Sequence, residues 1–192
     1  AAHNYNYMRE HRIPAGGWDY KQTVKDLNAY LQGKFGISPV MSEDNYQIYL
    51  NDSMISAAGK KKQEVIDESI DWLKKDTQFL YVFDEEKVTG TTMPEWIKER
   101  MENGYFRGRS GEIGIVTRPQ FFGGKDSPSF RGTQHGQPFP YDTHIPFLLY
   151  GWNVRHGSTD TETHIVDIAP TVCAMLHIQM PNGCIGTARY QH

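Results

Sequence analysis

The residues best suited to chemistry lie in two neighbouring runs, Gly132–Thr133–Gln134–His135–Gly136–Gln137–Pro138 and Tyr141–Asp142–Thr143–His144–Ile145–Pro146. A histidine in glycine-rich backbone sits where an ion can approach closely, because glycine has no Cβ to obstruct it. Neutral imidazole is also a common zinc ligand. Asp142 and His144 lie two apart at the entrance to an apolar run, so they share one face if that stretch is extended. The chemistry this points to is metal binding centred on His135, with Asp142 and His144 as supporting candidates. The plain alternative is a solvated loop that happens to hold histidines.

A wider set, His135, Asp142, His144, His156, Asp160 and His164, could in principle build a whole metal site within one chain. Asp160 and His164 are four apart and would align on a helix. Yet Ser158, Thr159, Thr161 and Thr163 surround them, which reads as a loop entering a helix capped by Thr163 or Asp167. His3 and His11, near Tyr5, Tyr7, Met8 and Arg12, belong either to a site continuing upstream or to the surface. No Ser or Thr has a base and an orienting group in its local sequence. A phosphate-binding Gly-rich loop, a dinucleotide fingerprint, a paired-cysteine zinc site and a nucleophile elbow are all missing. No catalytic residue is therefore assigned within this chain.

These residues need a framework. Asp19 to Phe35 reads as an amphipathic helix, with Val24, Leu27 and Leu31 at helical spacing and Gly36 as its stop. Tyr46 to Leu50 alternates like a strand. Lys60 to Lys75 is a surface helix with Ile66, Ile70 and Leu73 on one buried stripe. Phe79 to Phe83 is an apolar run of strand length, expected to be buried on both faces. Pro94 opens a helix carrying Trp96, Ile97 and Met101 on one side. Glu112–Thr117 and Ile145–Tyr150 make two further strands, separated by a Gly-, Ser- and Pro-rich loop from Gly123 to Pro140. A final helix, Ile165 to Ile178, should turn Ile168, Val172, Met175 and Leu176 inward. Strands alternating with helices predict an α/β fold with a mostly parallel sheet.

Composition narrows the function classes. Over 192 residues, 38% are hydrophobic and 22% charged, which suits one ordinary globular domain or one domain carrying a smaller subdomain. A net charge of −3 argues against a nucleic-acid binder or a polybasic membrane surface. No window approaches the roughly 18 consecutive apolar residues of a membrane span. Cys173 and Cys184 could pair across a short loop in an oxidising compartment, or be two small buried hydrophobes.

The stretch from Gly132 to Gly151 is similar to the C-terminal metal motif of the alkaline phosphatase superfamily. The resemblance is to the branch grouped with type I phosphodiesterases and nucleotide pyrophosphatases that contains the phosphate-irrepressible bacterial alkaline phosphatases. Val166–Asp167–Ile168–Ala169–Pro170–Thr171 resembles the helix that follows in that superfamily, and Pro181–Asn182–Gly183 its closing segment. His11–Arg12–Ile13–Pro14–Ala15–Gly16 and the helix ending in Lys34–Phe35–Gly36 resemble the segment just after the family's Asp-His metal pair.

This resemblance implies the C-terminal part of a three-layer α/β/α sandwich. Residues 1–37 and 111–192 would belong to the core, and 38–110 to an inserted α+β subdomain. It implies two zinc ions in the intact enzyme, with His135 matching the last histidine ligand and Asp142 and His144 as groups that could steady it. The nucleophile and the other ligands would lie before Ala1. The lack of an initiator Met fits either a processed protein or an excised piece, and the resemblance favours the piece. Alone, the chain should be inactive and bind no zinc tightly, since a catalytic zinc needs about three protein ligands. The intact enzyme would hydrolyse small phosphate monoesters through a phosphoenzyme, in the periplasm or outside the cell. Phosphodiesterase or nucleotide pyrophosphatase activity is the nearest alternative, and a non-catalytic binding module a more distant one. Loss of upstream strands would expose a sheet edge and favour self-association.

Overall fold

The computed structural model describes residues 5–125, 130–151 and 154–189. The chain divides into two compact units, Ala1–His144 and Ile145–His192. In the first, helix α1 (Tyr5–Glu10) leads into strand β1 (Gly16–Trp18) and the long helix α2 (Tyr20–Phe35). The ends of α2 follow from local chemistry. Asp19 accepts the Gln22 N–H at 3.1 Å, and Gly36 closes the helix at φ 76°, a conformation that glycine adopts without a Cβ penalty. Leu27 and Leu31 carry its buried stripe.

Strands β2 (Val40–Asp44), β3 (Gln47–Leu50), β4 (Phe79–Asp84) and β5 (Ile113–Thr117) form one sheet in the order β2-β3-β5-β4. Every pairing in it is antiparallel. This corrects the mostly parallel sheet expected from strand–helix alternation. The reason lies in the turn at Asn45–Tyr46, where both residues have positive φ (50° and 63°). Two such residues make a tight hairpin whose twist matches its strands, so the chain folds straight back. Parallel pairing occurs between β1 and β6 (Phe121–Gly123).

Helices α3 (Asp52–Ala57), α4 (Lys62–Leu73) and α5 (Glu95–Gly104) complete this framework, with a 3₁₀ segment at Glu85–Gly90. Trp18, Leu27, Leu31, Ile48, Leu50, Val65, Ile70, Leu73, Val82 and Ile115 share the main apolar cluster. Strand β5 is buried at every residue, as a central strand should be. Strand β4 is not buried on both faces: Leu80 is exposed, because β4 is the sheet's edge. On α5, Ile97 is buried while its neighbour Trp96 points outward.

The second unit departs further from the sequence pattern. Ile145–Tyr150, expected as a strand, has no regular structure, and Ile145, Leu148 and Tyr150 are exposed. A strand needs neighbouring backbone to satisfy its N–H and C=O groups, and among the described residues none pairs with this segment. A 3₁₀ turn (Ile165–Asp167) then enters α7 (Ile168–Leu176). Pro170, Thr171 and Cys173 are buried there, whereas Ile168, Val172 and Leu176, expected to face inward, are exposed. The buried face is instead the one carrying the Asp167–Thr171–Arg189 hydrogen bonds. Cys173 and Cys184 are both free thiols.

Candidate functional site

The loop carrying His135 is held by glycines, one carboxylate and its contacts with β5 and α5. Gly132 and Gly136 have φ of 95° and 120°. Gly136 is needed for space as well as conformation, since a Cβ there would meet the Tyr46 ring at 2.7 Å. The Tyr5 N–H donates to Gly132 O at 2.8 Å. Asp142 Oδ2 accepts from both Gly136 N and Gln137 N at 2.9 Å. Gln137 Oε1 accepts the Thr117 N–H of β5 at 3.1 Å, and Arg100 of α5 donates to Pro138 O at 2.6 Å. Downstream, the Tyr141 hydroxyl accepts the Gln120 N–H at 3.1 Å. Burial pushes that phenol up to about 12.

His135 stands exposed on this pinned loop. Asp142 comes beside it not through an extended strand but from the short helix α6 (Pro140–Thr143), correcting the expected geometry. His144 follows α6, closes it by donating its N–H to Pro140 O at 2.9 Å, and keeps an exposed side chain. The structure thus joins Asp142 to the backbone next to His135, and gives His144 a capping position.

The wider set is divided between the two units, with His135, Asp142 and His144 in the first and His156, Asp160 and His164 in the second. His156, Asp160 and His164 have exposed side chains. Among the described residues, no group of three or more His, Cys, Asp or Glu is placed to hold a metal ion. His11 stacks on Tyr7 with ring centroids 4.0 Å apart, and its Nδ1 lies 2.9 Å from Tyr7 O. His3 lies outside the described residues. A catalytic zinc requires about three protein ligands, and His135 with its imidazole exposed is free to serve as one of them.

Two further carboxylates gain their surroundings only in the fold. Asp167 is buried and accepts from Thr187 N (2.8 Å), His164 N (3.0 Å) and Arg189 Nε (2.7 Å). The backbone bonds from Thr187 and His164, with help from Arg189, hold its carboxyl down to about 2. Thr171 Oγ1 donates to Asp167 O at 2.6 Å and accepts Arg189 N at 3.0 Å, tying the chain's last described residues to α7. In the first unit, Glu85 is only 3% exposed, and burial raises its carboxyl to about 7. Its place in the acidic run Asp84–Glu85–Glu86 looks like a solvated helix start; only the fold shows that Asp84 and Glu85 turn inward while Glu86 stays exposed.

No protein-family profile matches the chain. Individual relatives do. It is 41% identical over 188 residues to a protein named calcium-transporting ATPase from Myroides odoratus, covering 97% of this chain and 34% of that protein. It is 35% identical to alkaline phosphatase PafA of Elizabethkingia meningoseptica and 33% identical to alkaline phosphatase PhoV of Synechococcus elongatus, each across 97% of this chain. The crystal structure of wild-type PafA superposes with a TM-score of 0.87 at 34% identity, over 98% of this chain and 35% of that one. The chain spans about a third of the length of these relatives. The alkaline phosphatases PafA and PhoV are thus homologues of this chain, PafA in fold as well as in sequence.

Proposed function

We propose that this chain is the C-terminal portion of an exported, zinc-dependent phosphomonoesterase, to which it contributes the ligand His135 and the loop that aims it. The supporting observation is the likeness to two alkaline phosphatases over nearly the whole chain, coinciding with a histidine on a loop pinned at both following amides. A metal pair, when bound, supplies charge neutralisation for an in-line displacement at phosphorus. The residues here orient one ligand for it. Gly136 lets the backbone turn beneath His135, Asp142 fixes the next two amides, and Gln137 and Arg100 anchor the loop to β5 and α5.

The remaining ligands and the nucleophile would come from sequence beyond the third of the relatives' length spanned here. The chain alone would then be inactive, and the substrate of the longer protein a small phosphate ester. A diester or nucleotide substrate is the nearest alternative within the superfamily. ATP hydrolysis, suggested by the name of the Myroides relative, is the same class of phosphoryl transfer. Exposed sheet edges on the isolated chain would favour self-association.

The experiment compares this chain with a form extended to the relatives' full length. Calorimetry and p-nitrophenyl phosphate hydrolysis are expected to show about two zinc ions bound, and turnover, only in the extended form. His135→Ala in that form should cut zinc affinity and activity together. Tight zinc binding by the short chain, or full activity of the extended His135→Ala protein, would overturn the proposal.

A further inference from the structure

A cavity of about 120 Å³ lies under the His135 loop, lined among others by Glu85, Arg100, Asn45, Gly136, Gln137 and Pro138. Two buried polar side chains reach its wall. Glu85 receives a hydrogen bond from the Gln47 side chain, but its Oε2 has no partner among the described residues. Gln137 spends Oε1 on Thr117 N, while its Nε2 faces the Tyr46 hydroxyl without a bond of ordinary geometry. Leaving a buried carboxylate oxygen unpaired is costly, so a group that can donate to it is called for.

The lining selects the guest. Arg100 on one wall disfavours a cation and Glu85 on another disfavours an anion. A guest must donate to Glu85 Oε2 and accept from Gln137 Nε2, which water does with a single molecule. The volume is ample for several waters. An aliphatic guest would leave both groups unsatisfied.

We propose that this partly open cavity is a hydration site in which ordered water bridges Glu85 to the Gly136–Pro138 segment, making Glu85 a positioning residue for the His135 loop. The bridge joins the start of the 3₁₀ segment after β4 to the backbone that follows His135. It acts beside Asp142, which holds the backbone N–H groups of Gly136 and Gln137. The hydration and its hold on the loop stand on this geometry alone. Their bearing on a metal rests on the function proposed above.

The test uses the 192-residue chain, with Glu85→Gln, which keeps polar atoms at the site, and Glu85→Met, which removes them. Crystallographic density in the unsubstituted chain is expected to show water bonded to both Glu85 and Gln137. Oxygen-17 relaxation dispersion should count fewer long-lived waters in Glu85→Met and an unchanged number in Glu85→Gln. Hydrogen exchange at the Gly136 and Gln137 amides should quicken at least about tenfold in Glu85→Met. A dry cavity in the unsubstituted chain overturns the proposal even if Glu85→Met fails to fold. So does a Glu85→Met protein that keeps its waters, or that loses them with amide exchange unchanged. Failure of the His135 reading looks different: zinc affinity of the extended protein would ignore His135→Ala while every result above persisted.

Discussion

Asp142 Oδ2 holds the backbone N–H of Gly136 and of Gln137 at the same distance, 2.9 Å, from six and five residues downstream. One carboxylate oxygen thus fixes the two peptide groups immediately after His135. The left-handed φ of Gly136 gives this short loop no regular structure of its own to fall back on.

Removing that oxygen should therefore loosen the loop more than the fold. Asp142→Ala is expected to cost about 1–2 kcal/mol, since two charge-assisted bonds at a half-buried site are lost. Asp142→Asn, which keeps an acceptor, should cost less. Urea denaturation of the two variants checks the order. Equal losses would mean that the charge, and not the hydrogen-bond geometry, holds the loop.

The sequence revealed local structure well and distant pairing poorly. Helix α2 was legible because Asp19, the stripe at Leu27 and Leu31, and Gly36 all act within a few residues of one another. The antiparallel sheet was not. Its deciding turn places Tyr46, a residue with a Cβ, at φ 63° where a hairpin normally shows glycine. Tyr46 tolerates this position while its ring packs beside Trp18 and its hydroxyl accepts the Gly123 N–H at 3.0 Å. Those contacts span tens of residues and leave no local mark. At the site, His135 and Asp142 were visible as residue types in a glycine-rich run. Glu85 was not, because burial of Asp84 and Glu85 beside an exposed Glu86 is a property of the fold.

Asp167 gives a pH dependence with a definite sign. Its folded carboxyl is held near 2, below its ordinary value of 3.8, so the folded state binds the proton more weakly. The stability this lends is present above about pH 4 and is lost as pH falls from there toward 2. Asp167→Asn should therefore be less stable than the unsubstituted chain at pH 7, and the gap should narrow below pH 4. Denaturation midpoints at pH 7, 4 and 2.5 check this; a gap constant across that range would remove Asp167 from the acid response.

Glu85 has the opposite sign. Its folded value, about 7, exceeds the ordinary 4.5, so the folded state holds the proton more tightly. Stability falls as pH rises from about 4.5 to about 7 and levels off above. Asp84, Tyr49, Tyr105 and Arg100 are the other ionisable groups near it, and burial is the leading cause of the shift. Glu85→Gln mimics the protonated form. At pH 8 it should gain up to about 3 kcal/mol over the unsubstituted chain, less whatever solvation water supplies to Oε2. At pH 4 the two should match. A gain that persists at pH 4 would point to packing and not to charge.

The exposed apolar side chains favour contact between copies of the chain. Leu80 lies on the edge strand β4, and Leu148, Tyr150 and Ile185 are largely exposed in the second unit, at 82%, 103% and 84%. A free strand edge offers unpaired N–H and C=O groups to another chain, and apolar side chains beside water favour association. The chain is expected to self-associate as its concentration rises, which sedimentation velocity would follow. Leu80→Lys blocks the edge by charge and Leu148→Lys blocks the apolar face of the second unit, so the two variants separate the causes. If Leu80→Lys restores a monomer and Leu148→Lys does not, edge pairing drives the contact. A chain that stays monomeric at millimolar concentration would show that neither surface is adhesive.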